Sequence, residues 1–172
     1  MKKLIEILAF VMMSMMMLVA CGKDTDSDSK KEESKKEESN KNVTIDVVAT
    51  ADALIKDVKF VDQMSPIDSI DFFTALFSID AADVKEQKTY TSTGATAEML
   101  SAVKCTDADA AEKVKGIFEA YTKDLSSQYA DYKPEECEKL DNPVIKVYNE
   151  YVIICVSDDN DTATKTIEGQ VK

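Results

Sequence analysis

The stretch Val152-Ile153-Ile154-Cys155-Val156 decides the fold, because successive side chains of a β-strand point to opposite faces and all five of these are apolar. A strand of this kind is buried on both faces, whereas a strand washed by water on one side alternates apolar with polar residues. We therefore predict a central strand with a layer of helices on each side. Cys155 is expected to be a small core residue.

Two hairpins are predicted from residues that favour strands on either side of short turns. The second hairpin joins 144–148 to 151–157 through Asn149-Glu150. The first joins 86–92 to 98–105 around Thr93-Gly94-Ala95-Thr96. Together they predict a four-stranded antiparallel sheet.

Helices are predicted before, between and after these hairpins. Thr44 is expected to cap a first helix, and Ser65-Pro66 is expected to start a second that ends near Ser78. Thr106 is expected to cap the longest helix, between the hairpins. A short helical turn follows at 132–136, and a final helix runs from about Asp159. The apolar stripes are Val47, Val48, Ala51, Leu54, Ile55 and Val58 in the first helix, Ile70, Phe73, Leu76 and Phe77 in the second, and Ala111, Val114, Phe118, Tyr121 and Leu125 in the longest.

The predicted fold class is thus α+β. Two N-terminal helices precede a hairpin-helix-hairpin-helix order, and the four-stranded antiparallel sheet packs against helices. The two N-terminal helices are expected to cover the second face of the central strand. Residues 43–172 are long enough to form one such domain with a modest core.

An export signal is predicted at residues 1–20. Lys2 and Lys3 give it a positive start, and the run from 7 to 19 is apolar apart from Ser14. A transmembrane anchor is less favoured, because a span needs roughly 20 apolar residues and Glu6 lies near the start of the run.

The signal ends in Leu18-Val19-Ala20-Cys21-Gly22, a pattern typical of a bacterial lipobox. It predicts cleavage before Cys21 and a diacylglyceryl group on the Cys21 sulfur, so that the acyl chains hold the protein on the membrane. The alternative is a plain secretory signal with an incidental cysteine. Residues 21–42 then form a charged tether that is expected to be disordered, because its Ser, Lys, Glu and Asp residues cannot build a core.

The charge of the domain excludes some partners. Residues 43–172 contain 13 lysines and 25 acidic residues, a net charge of −12. Such a surface repels the phosphates of nucleic acids and anionic lipid headgroups. It suits a cationic peptide or a basic partner protein better.

Enzyme chemistry is disfavoured because the chain has no histidine, the usual general base and metal ligand. The acidic run Ser157-Asp158-Asp159-Asn160-Asp161 lacks the glycine and the distal glutamate of a calcium hand, and we interpret it as the charged start of the last helix. We assign no catalytic, cofactor-binding or metal-ligating residue and no cofactor. The alternative is an envelope hydrolase that works with paired carboxylates. Tyr148 and Tyr151, which flank the second hairpin turn, are candidates for a binding rim.

A family resemblance accompanies these features. The segments Tyr132-Lys133-Pro134-Glu135-Glu136, Val144-Ile145-Lys146-Val147-Tyr148-Asn149-Glu150-Tyr151-Val152 and Val156-Ser157-Asp158-Asp159 follow a lipobox, a charged tether and an amphipathic helix. In this arrangement the chain resembles the uncharacterised bacterial lipoprotein family known as domain of unknown function 4358. The resemblance covers nearly all of the chain after the tether and transfers no site residue. A glycine is expected in the second hairpin turn of that family, where this chain has Asn149-Glu150.

These observations lead to one functional hypothesis. The protein is expected to be a non-enzymatic binding module, anchored through Cys21 on the outer face of the cytoplasmic membrane. Its tether of about 20 residues would let the domain explore its surroundings.

We predict that Cys21→Ala releases the protein from the membrane, because the thiol that accepts the lipid is lost. The measurement is the distribution of each form between membrane and soluble fractions of the native host. Equal retention of both forms in the membrane fraction would contradict the lipid anchor.

Overall fold

A computed structural model of the protein describes residues 43–172. The predicted signal peptide at 1–20, the lipidation site Cys21 and the tether up to residue 42 lie outside the described residues and stay predictions. The described part has five α-helices and a five-stranded sheet. In chain order these elements are α1 (Val47–Asp57), β1 (Ser65–Ile67), α2 (Ile70–Phe77), β2 (Val84–Thr91), β3 (Met99–Cys105), α3 (Ala108–Tyr129), α4 (Cys137–Asp141), β4 (Val144–Tyr148), β5 (Tyr151–Val156) and α5 (Asn160–Gly169). Short 3-10 turns precede β2 at Ala81–Asp83 and α4 at Pro134–Glu136.

The strand order is β1-β2-β3-β5-β4, and every neighbouring pair is antiparallel. Strand β5 lies inside the sheet between β3 and β4, and all six of its residues are buried. Val152, Ile154 and Val156 belong to one core, while Ile153 and Cys155 belong to the other. The prediction of a central strand covered on both faces is confirmed.

The two faces of the sheet carry different helices. Helices α2, α3 and α4 contribute to the core that contains Ile154. Helices α1 and α5 contribute to the core that contains Ile153. The expectation that both N-terminal helices cover the second face is therefore wrong: α1 lies there with α5, and α2 packs on the opposite face beside α3.

The prediction of four strands is also wrong, because Ser65-Pro66-Ile67 forms β1 instead of starting a helix. Its residues pair with β2 in the register Ser65↔Thr91, Pro66↔Tyr90 and Ile67↔Thr89. A residue before proline disfavours the helical conformation, and a proline without an N–H is tolerated on an edge strand. Ser69 caps α2 in place of Ser65, since its hydroxyl accepts from the Phe72 N–H at 3.2 Å.

Aspartates cap the helices that were expected to begin with threonines. The Asp46 carboxylate accepts from the Ala49 N–H at 2.9 Å, and the Asp107 carboxylate accepts from the Ala110 N–H at 2.8 Å. Thr44 instead pairs its backbone with Lys172, and the Thr106 N–H donates to the Asp83 carbonyl. Both threonines are thus occupied by backbone pairing before the helices start.

The three cysteines of the described part are free thiols. Cys105 and Cys155 are fully buried, and Cys137 is half-buried. Burial raises the pKa of the Cys105 thiol to about 11 and that of Cys155 to about 12, so both stay protonated at neutral pH. Cys155 is a core residue, as predicted.

We predict that Ile153→Ala lowers the free energy of unfolding by about 2–5 kcal/mol, because it leaves a cavity at a position that is 1% exposed. Val61→Ala is the control: this side chain is 77% exposed, and we expect a change within about 0.5 kcal/mol. Urea denaturation of the full chain measures both. Similar losses for the two variants would contradict the double-sided core.

Candidate interaction groove

An apolar groove of about 280 Å³ lies between α2, α3 and the loop that joins β2 to β3. Phe72 and Leu76 line it from α2. Tyr121, Leu125 and Tyr129, spaced four residues apart, line it from α3. The remaining lining comes from Ile67 of β1 and from β2 to β3, between Thr91 and Met99.

Helix α2 leaves apolar side chains at the surface because both of its faces are apolar. Phe73 and Phe77 are buried, as the predicted stripe requires. Ile70 and Leu76 were expected to face the core with them, but they are 38% and 36% exposed. Phe72, outside the predicted stripe, is 58% exposed. Phe72 and Leu76 are four residues apart and form a second stripe, turned away from the first.

Ring contacts fix α2 against α3. The ring of Phe77 lies 5.2 Å from that of Phe118 and 4.8 Å from that of Tyr121, both nearly perpendicular. Phe73 adds a contact of 5.3 Å with Phe77. Edge-to-face pairs of this kind contribute about 0.5–1.5 kcal/mol beyond the area they bury. The wall that carries Phe72 and Leu76 is therefore held firmly.

The loop between β2 and β3 is held by side chains from other elements. The Tyr129 hydroxyl donates to the carbonyls of Gly94, at 3.3 Å, and Thr96, at 3.0 Å. Asp62 accepts from both the N–H and the hydroxyl of Thr93, and the bond from the hydroxyl lowers the pKa of this carboxyl. Gly94 has a φ of 91°, which a side chain would strain. The groove is thus formed before anything enters it.

Beside the groove, four charged side chains form an ionic cluster: Glu98, Glu136, Lys139 and Asp158. The Lys139 ammonium lies 3.1 Å from Asp158 Oδ2, 3.3 Å from Glu136 Oε2 and 3.8 Å from Glu98 Oε1. The side chains of Glu98, Glu136 and Lys139 are 0%, 6% and 4% exposed, while Asp158 reaches solvent. Burial lowers the pKa of Lys139, but hydrogen bonds to Asp158 and Glu136 outweigh this and raise it. The lysine is therefore a cation and not a nucleophile at neutral pH.

The two buried carboxylates of the ionic cluster also bind backbone groups. Glu98 accepts from the N–H groups of Val61 and Asp62, and from the Thr96 hydroxyl. Glu136 Oε2 accepts from the Ala97 N–H at 2.8 Å, and Glu136 Oε1 faces Lys133 at 3.7 Å. Every oxygen of this pair has a partner. The cluster therefore ties the loops around the groove together.

The predicted rim residues lie away from the groove. Tyr151 pairs with Lys104 at one end of β3, whereas Met99, which lines the groove, pairs with Val156 at the other end. Tyr151 is 3% exposed, belongs to the core beneath α1 and α5, and has the Lys104 ammonium 5.4 Å from its ring centroid. Tyr148 is half-buried and packs against the same core. The structure brings the two tyrosines together as a register pair, and their binding role stays a prediction.

Residues 43–172 contain neither a membrane-spanning helix nor a metal-binding cluster. No helix there is long and apolar enough to cross a bilayer. The same residues hold no group of three or more cysteine, aspartate or glutamate side chains arranged around a metal position.

The matched family spans the groove and most of the ionic cluster. A model of the family described as domain of unknown function (DUF4358) matches residues 56–157, more than half of the chain. The chain belongs to this family. The DUF4358 match begins at the end of α1 and ends just after β5, so it includes all the residues that line the groove, together with Glu98, Glu136 and Lys139. No curated protein and no solved structure matches the chain.

The groove and the ionic cluster were missed by reasoning from the sequence. Six of the eight residues of α2 are apolar, more than one buried stripe can use, and this excess was the available signal for the groove. The cluster had no local signal, because Glu98, Lys139 and Asp158 meet only through the sheet and its connections.

We predict that Lys139→Met lowers the free energy of unfolding by about 3–5 kcal/mol, because it leaves the buried Glu98 carboxylate without a cation and leaves Glu136 with Lys133 alone. Lys146→Met is the matched control, since its partner Glu168 is exposed, Lys146 itself is only half-buried, and such a surface pair is worth about 0–1 kcal/mol. Chemical denaturation of both variants measures the difference. Equal stabilities would show that the ionic cluster does not hold the loops.

Proposed function

We propose that this protein is a lipid-anchored, extracytoplasmic interaction module that binds a partner in the groove between α2 and α3 and carries out no catalysis. The observation that carries the proposal is the stripe of Phe72 and Leu76, which exposes apolar surface beside a preformed cleft. Exposed apolar surface next to a cleft is typical of binding sites.

The rigidity of the groove supports binding. Aromatic contacts hold α2 against α3. The Tyr129 hydroxyl holds the loop between β2 and β3, and the ionic cluster ties that loop to α4. A preformed site loses less conformational entropy when a partner enters, so more of the contact energy appears as affinity.

The lipobox supports the anchored part of the proposal. An acylated Cys21 and a polar segment of about 20 residues would hold the domain near the membrane and leave its orientation free. The location follows from these sequence features and from the expected cleavage before Cys21.

The alternative is a hydrolase with paired carboxylates, for which Glu98 and Glu136 are the candidate pair. Their oxygens already accept from backbone N–H groups and face lysines. A general acid or base must be within reach of a substrate proton, and this arrangement favours a structural role for the pair instead.

We predict that a photoreactive p-benzoylphenylalanine at position 72 crosslinks one stoichiometric partner in native membranes. The control places the same residue at position 48 in α1, where Val48 is 43% exposed on the opposite face of the sheet. The products are identified by mass spectrometry in the anchored form and in Cys21→Ala.

A partner captured at position 72 and absent at position 48 is the expected result. Identical products at both positions, or none at position 72, would contradict binding in the groove. A substrate-dependent mass change in an envelope extract, without a captured partner, would favour the hydrolase.

A further inference from the structure

The groove lies in a negatively charged part of the surface. The segments that line it, namely β1, α2, residues 91–99 and residues 121–129, contain four charged residues: Asp71, Glu98, Lys123 and Asp124. Lys123 lines a different cavity, on the other side of α3. Glu98 is buried against Lys139. The exposed charges that remain in these segments are both carboxylates: Asp71 precedes Phe72, and Asp124 precedes Leu125, which both line the groove.

Asp71 and Asp124 are available to a partner. Both are exposed, and neither forms an ion pair with any residue between 43 and 172. Lys133 donates to the Ala95 carbonyl, in the loop that lines the groove, but its ammonium faces Glu136 at 3.7 Å. We refer to these two unpaired carboxylates, each next in sequence to an apolar lining residue, as the rim of the groove.

Three occupants fit this surface poorly. The chain's own residues 22–42 contain no apolar side chain to fill the groove. A second copy would bring another domain with a net charge of −12, which repels the first. An anionic bilayer surface is repelled in the same way.

The volume of the groove limits the size of the group that binds in it. About 280 Å³ is just below the range of small-molecule and cofactor pockets, which is roughly 300–1,000 Å³. The groove accommodates one or two apolar side chains of a longer segment. Charges on either side of those side chains would then meet the rim.

We propose that the groove binds a cationic segment of a partner protein, with one or two large apolar side chains in the groove and flanking lysine or arginine residues near Asp71 and Asp124. This inference rests on the proposed function and adds the chemistry of the partner. The ion pairs lie at the rim, so they set the salt dependence of binding, while the apolar side chains provide the buried contact.

The test uses the full chain in zwitterionic nanodiscs and a fluorescent 12-residue probe peptide with two phenylalanines four residues apart and four lysines. A matched peptide replaces each lysine by glutamate. We expect the lysine peptide to bind at least about tenfold more tightly, a difference of about 1.4 kcal/mol, and to weaken as salt rises.

Two charge-reversal variants test whether the preference for the lysine peptide comes from the rim of the groove. Asp124→Lys changes the residue before Leu125, which lines the groove, and Asp57→Lys changes the last residue of α1, on the opposite face of the sheet; both change the net charge by the same amount. We expect Asp124→Lys to weaken binding of the lysine peptide about fivefold and Asp57→Lys to leave it nearly unchanged.

The outcomes separate this inference from the proposed function. Equal binding of the two peptides, or equal effects of the two reversals, overturns the cationic partner and leaves the groove as a site. Phe72→Ala is expected to abolish most binding of the lysine peptide. An unchanged affinity in Phe72→Ala would overturn the groove itself, and with it both proposals.

Discussion

The burial of β5 on both faces is the constraint on which the rest of the structure depends. Its backbone bonds to β3 on one side and β4 on the other, and its side chains enter two separate cores. Each core needs its own helices, because apolar surface left in water on either face would cost about 25 cal/mol per Å². This requirement divides the helices into α1 with α5 and α2 with α3 and α4, and it places α2 at the edge of its layer, where part of its surface stays open.

The ionic cluster, at the end of the sheet, holds separate segments together instead of covering a core. Buried ion pairs add little net stability, because the loss of hydration offsets most of their attraction. Their geometry is nevertheless specific: Lys139 is reached by carboxylates from the start of β3, the turn before α4 and the segment before α5. A shift of the segment that carries Glu98 or of the turn that carries Glu136 would separate a buried carboxylate from Lys139. We infer that the cluster fixes the arrangement of the loops, and with it the shape of the groove, more than it stabilises the domain.

The elements that could be predicted from the sequence are those with local signals. The apolar run of β5, the two hairpins and helix α3 depend on side chains close together in the chain, and all were confirmed. Of the predicted stripe of α3, Ala111, Val114 and Phe118 are fully buried, whereas Tyr121 and Leu125 are half-buried. Strand β1 could not be found in this way, because three residues with a proline form a strand only through pairing with β2. The ionic cluster and the exposure of Leu76 depend likewise on distant parts of the chain.

The second hairpin turn forms without the expected glycine. The φ of Asn149 is 53°, the conformation that a glycine would supply, and asparagine adopts it at a modest cost.

The acidic surface of the domain counteracts a disadvantage of the exposed apolar face of α2. A helix with Phe72 and Leu76 at the surface promotes nonspecific adhesion to membranes and to other apolar surfaces. A domain with a net charge of −12 is repelled by anionic membranes and by its own copies, and both effects oppose such adhesion. In the binding mode that we propose, the same charge attracts a basic segment and brings its apolar side chains to the groove. Repulsion of anionic surfaces and attraction of the proposed basic segment are thus two effects of a single charge distribution, from which an apolar groove would gain selectivity.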